Sequence, residues 1–68
     1  MKAIHLAPTN RQYIRHRHVG VLDTPCFPAR YYVGYVFQER EEWIPADNET
    51  HNFYKTLEEA ETAFLKII

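Results

Sequence analysis

Apolar residues recur at helical spacing most clearly at the end of this 68-residue chain. In "KTLEEAETAFLKII" (55–68), Leu57, Ala60, Phe64 and Ile67 fall on one stripe with Ala63 beside them. Glu58, Glu61, Thr62 and Lys66 take the opposite face. Thr56 stands three residues before Glu59, the spacing of a capping box, in which each side chain satisfies a backbone N–H at the helix start. Glutamates in the first turn suit the helix dipole. The pattern predicts a helix over 57–67, docked by one stripe on a sheet.

A period of two marks "RYYVGYVFQ" (30–38), dense in the aromatic and β-branched residues that favour a pleated surface. Tyr31, Val33, Tyr35 and Phe37 share one face; Tyr32, Gly34 and Val36 share the other. Apolar groups on both faces make this a central strand. Gly34 in its middle signals a bulge or a close neighbour. "EREE" then turns the chain back through "EWIPA" (42–46), where Pro45 ends the strand or sets it at an edge, because proline has no N–H for the ladder. After the polar turn "DNETHN" (47–52), "FYK" (53–55) forms a short strand running into the helix cap.

The N-terminal half reads less sharply. "KAIHLA" (2–7) fits a strand closed by Pro8, Thr9 and Asn10, and "QYIRHRHVGVL" (12–22) fits a second, ended by the two prolines of "DTPCFP". There are no repeats, low-complexity tracts or Gly/Ser linkers. The expected fold is α+β in one domain, 1–68: a small antiparallel sheet of three to five strands with the C-terminal helix packed on one face.

Composition bounds the class. With 46% hydrophobic residues and ten Phe, Tyr and Trp, the chain is too apolar to remain disordered. The single Cys26 forms no internal disulfide, and no apolar run serves as a signal peptide or membrane span, so a cytoplasmic protein is expected. Net charge is −1, yet residues 1–34 carry five Lys/Arg against one Asp, while residues 35–68 carry three against eight Asp/Glu. A division of this kind points to a charged partner, or to halves that fold together and pair.

Candidate chemistry is sparse. His16 and His18 share a strand face, but zinc takes three or four ligands, and His5, His51 and Cys26 stand at no telling spacing. No nucleophile motif, phosphate loop or HExxH occurs, so no catalytic residue, metal, cofactor or small-molecule substrate is expected. Arg11, Arg15 and Arg17, with Tyr13 between them, form a candidate nucleic-acid surface of phosphate contacts and base stacking. A pI near 6.4 is low for that role. The acidic set Glu39, Glu41, Glu42, Asp47 and Glu49, gathered around the strand turns, fits a rim that steers a basic protein surface.

Residues 30–68 resemble the three-stranded-sheet-plus-helix domains at the N-termini of phage-type tyrosine integrases, through "FYKTLEEA" at 53–60. The resemblance implies arm-site DNA binding. That family's sheet is Lys/Arg-rich, whereas this one carries Glu39, Glu41, Glu42 and Glu49, which moves the expected partner toward protein. In size, aromatic content and split charge the chain is also similar to small inhibitors of phages and mobile elements, anti-CRISPR proteins among them, which block nucleoprotein complexes by surface contact. The resulting expectation is a non-catalytic protein that binds a protein or nucleoprotein complex through an exposed Tyr32 and the acidic set. Direct DNA or RNA binding through Arg11, Tyr13, Arg15 and Arg17 is the alternative.

Overall fold

The computed structural model describes residues 1–9, 18–25, 30–47 and 49–68. It is an α+β domain with a five-stranded, open antiparallel sheet and one C-terminal helix packed against it. The strands are β1 (Lys2–Pro8), β2 (His18–Asp23), β3 (Tyr31–Glu39), β4 (Glu42–Pro45) and β5 (Phe53–Tyr54); the helix is α1 (Leu57–Ile67). A single 3₁₀ turn, Thr50–Asn52, leads into β5.

Sheet order is β1-β2-β3-β4, with β5 also on β3. The aromatic β3 is therefore central, as its two apolar faces require. β2 runs along one side, and β4 and β5 divide the other, at Val36–Glu39 and at Tyr31–Tyr32 respectively. Pro45 is the last residue of β4. Thr24 is fully buried and closes the connection after β2, its N–H donating to the Arg30 carbonyl at 2.7 Å and its hydroxyl at 2.5 Å.

The helix begins as its spacing predicts. The Thr56 hydroxyl accepts the Glu59 N–H at 3.2 Å and donates to the Glu59 carboxylate at 3.1 Å. Ala60 and Phe64 are buried against Val19, Val21 and Val33, with Leu57, Ala63, Tyr31 and Tyr54 packed around them. An irregularity in the β1–β2 register between Ala3 and His5 lets two successive residues serve this layer. Ile4 packs on the cluster, and His5 stacks on Phe64 with ring centroids 5.6 Å apart while bonding Glu61 at 2.6 Å. Ile67 departs from the expected stripe. It is 49% exposed, because the helix outruns the sheet in its last turn.

The other face of the sheet holds a second core rather than a solvent-facing surface. Leu22, Tyr32 and Val36 are fully buried there, with Ala3, Trp43 and Phe53 packed on them. The Trp43 N–H reaches the Met1 carbonyl at 3.3 Å, so β4 meets the start of β1 although β2 and β3 lie between them in the sheet order. The sheet curls, and its concave side closes over these residues. No helix among the described residues is long and apolar enough to cross a membrane.

Candidate functional site

Of the expected acidic set, Glu39, Glu41 and Glu42 come together at the β3–β4 hairpin. Glu39 is the direct cross-strand partner of Glu42, and only Arg40 and Glu41 lie between them. Both turn residues have positive φ, 51° and 70°. This is the geometry of a two-residue hairpin loop whose twist matches its strands, and it is normally supplied by Asn-Gly. A residue with a Cβ there costs roughly 1–2 kcal/mol, and like charges directly opposite one another repel. All four residues are exposed. Glu42 lies 3.9 Å from the Met1 ammonium, with its side chain 75% exposed.

Asp47 and Glu49 lie elsewhere. The Ala46 N–H donates to the Tyr35 carbonyl at 2.9 Å, so the chain leaving β4 passes beside Tyr35, at the opposite end from the hairpin tip. At about 3.3 Å per residue, the five steps from Glu42 to Asp47 span roughly 16 Å. The acidic set thus divides into a compact tip and two separate residues. Asp47 is half-buried, and Glu49 is exposed at the 3₁₀ turn, its carbonyl accepting the Asn52 N–H at 3.0 Å.

The expected exposure of Tyr32 is corrected: its side chain is fully buried. Its hydroxyl donates to the Tyr35 carbonyl at 2.6 Å and accepts the Asp47 N–H at 3.3 Å. Its ring meets Phe53 edge-on at 5.5 Å. A ring enclosed in this way offers no contact surface to a partner.

Arg11, Tyr13, Arg15 and Arg17 lie outside the described residues, as do His16 and Cys26. His18 stands on β2 with its ring edge-on to Trp43 at 5.4 Å. Among the described residues, no group of three or more His, Cys, Asp or Glu side chains gathers as a metal site. Arg30, the fifth cation of the basic half, bonds Asp23 at 3.1 and 3.4 Å and lies 5.7 Å over the Tyr31 ring. The hydrogen bond to Asp23 raises its pKa still further. Between the halves, the Met1 ammonium lies 3.9 Å from the Glu42 carboxylate, and the His5 ring nitrogen bonds Glu61 at 2.6 Å.

One surface feature escaped the sequence reading. A groove of about 500 Å³ runs between α1 and β5, lined by Tyr54, Glu58, Glu59, Thr62, Ala63, Lys66 and Ile67. Its only sequence signal was Ile67, which helical spacing had assigned to the core. No protein family, characterised protein or solved structure matches this chain.

Proposed function

We propose that this protein is a non-catalytic binding protein, an inhibitor or accessory factor of the phage and mobile-element type, that contacts a protein or nucleoprotein complex. The β3–β4 tip is its point of contact. Glu39, Glu41 and Glu42 meet a basic surface there, one that ordinarily holds nucleic acid. The observation that carries this reading is the combination at the tip: paired glutamates and two positive-φ residues, all exposed. Positive φ at two non-glycine residues costs folding free energy, and no residue of the tip contributes to the core. Locally unfavourable choices at an exposed site fit a role in recognition.

The test uses partners captured from the native host with nuclease present, so that bridging nucleic acid is removed. Replacing Glu39, Glu41 and Glu42 together by Gln slows association with the captured protein and flattens its dependence on ionic strength. Unchanged association by this variant would remove the tip from recognition.

A further inference from the structure

We infer that α1 is a self-association surface, on which a second copy of this chain packs its own α1 antiparallel about a two-fold axis at Thr62. The outward stripe of the helix reads Glu58, Thr62, Lys66, at intervals of four residues and all exposed. It lies opposite the Ala60 and Phe64 stripe that docks on the sheet. Thr62 is midway between Glu58 and Lys66, so an antiparallel copy sets Glu58 of each chain against Lys66 of the other. Neither side chain has an ion-pair partner among the described residues.

The two charges lie about 12 Å apart along the helix, eight residues at 1.5 Å each. They thus form two separate ion pairs around a centre at Thr62, a small residue that allows the helices to approach closely. Apolar surface borders this stripe. Leu65, next to Lys66 in the chain and 66% exposed, flanks it. A basic peptide suits Glu58 and Glu59 but meets Lys66 in the same groove. A second α1 presents both charges in the required order, which is the self-complementarity that a two-fold interface demands.

An 11-residue helix offers less than the roughly 800 Å² per partner of a standard interface. The dimer is therefore weak and forms at concentrations approaching the order of 1 mM. Sedimentation equilibrium on the full chain tests it. The parent should associate reversibly to a dimer, and Glu58→Lys and Lys66→Glu should each weaken this by about tenfold or more, since each reversal places like charges together at both ends. Mixing the two variants should restore association as a heterodimer, because every facing pair is then opposite in sign. The double variant Glu58→Lys/Lys66→Glu should also recover it. Should a lysine in the first helical turn unfold the chain, Glu58→Gln and Lys66→Gln must each weaken the dimer by a smaller factor. A parent that stays monomeric overturns the inference, as do reversals that associate like the parent or a mixture that fails to recover.

Discussion

Gly20 of β2 and Gly34 of β3 are direct cross-strand partners, and each admits a neighbour into the space a side chain would fill. A Cβ on Gly34 would stand 2.7 Å from the Tyr32 hydroxyl and 2.9 Å from the Asn52 amide nitrogen. One on Gly20 would stand 2.6 Å from the His5 carbonyl oxygen. Tyr32 bends along its own strand over Gly34 to reach the Tyr35 carbonyl, and Gly34 takes a φ of +154°, which side chains rarely adopt. Gly34→Ala should therefore cost about 2–4 kcal/mol through strain and overpacking together. Tyr32→Phe, which removes the hydroxyl alone, should cost about 1 kcal/mol. Urea denaturation checks both, and a Gly34→Ala protein as stable as its parent would contradict the placement of the Tyr32 ring.

Phe64 joins the helix to the sheet. It is 7% exposed, within a cluster of Val19, Val21, Val33 and Ala60. Truncation to Ala should cost about 3–5 kcal/mol, a large share of the 5–15 kcal/mol that holds a typical domain together. Thermal melting decides the matter: a midpoint within a few degrees of the parent's means that this ring does not anchor the helix.

The hairpin tip predicts a gain rather than a loss. Arg40→Asn with Glu41→Gly supplies the residues that positive φ prefers, and should stabilise the protein by about 1–2 kcal/mol. The same change keeps Glu39 and Glu42 in place. Loss of partner binding in a stabilised variant would assign Arg40 or Glu41 a direct part in the contact.

Nucleic-acid binding and protein binding require opposite signs from the Glu39, Glu41 and Glu42 to Gln variant. If Arg11, Arg15 and Arg17 held phosphates, removing three carboxylates would tighten DNA or RNA retention. Its salt dependence would then show a slope of roughly −0.7 to −0.9 per phosphate neutralised. The proposed function predicts no retention by the parent at low salt and weaker protein binding by the variant. A filter-binding titration over a range of salt distinguishes them, and tighter retention by the Gln variant would reverse the assignment.

Metal removal should leave the protein unchanged. His18 lies against Trp43, and no three ligands converge among the described residues. Chelation is expected to leave the melting temperature unaltered; one equivalent of zinc by elemental analysis, lost together with the fold, would place His16 and His18 in a site.

Local features were legible from spacing alone. Thr56 and Glu59 marked the helix start, "EREE" marked the β3–β4 turn, and Pro45 marked the end of β4. Each rests on hydrogen bonding or backbone geometry among residues a few positions apart, so neighbours in sequence suffice to specify it. The same reasoning placed Glu39, Glu41 and Glu42 together, because a hairpin brings its own flanks side by side.

Tertiary structure decided which surfaces survive. Alternation set Tyr32 on the second face of β3, but nothing local could tell whether that face met water. It is covered because Met1 and Trp43, 42 positions apart in the chain, join across the curled sheet and bring Ala3, Trp43 and Phe53 over it. Asp47 left the acidic set for a similar reason: its N–H is drawn to a buried hydroxyl 15 residues earlier. Ile67 kept its helical phase yet lost its burial, since the sheet beneath α1 ends before the helix does. Phase is a property of one element, whereas burial depends on where every other element comes to rest.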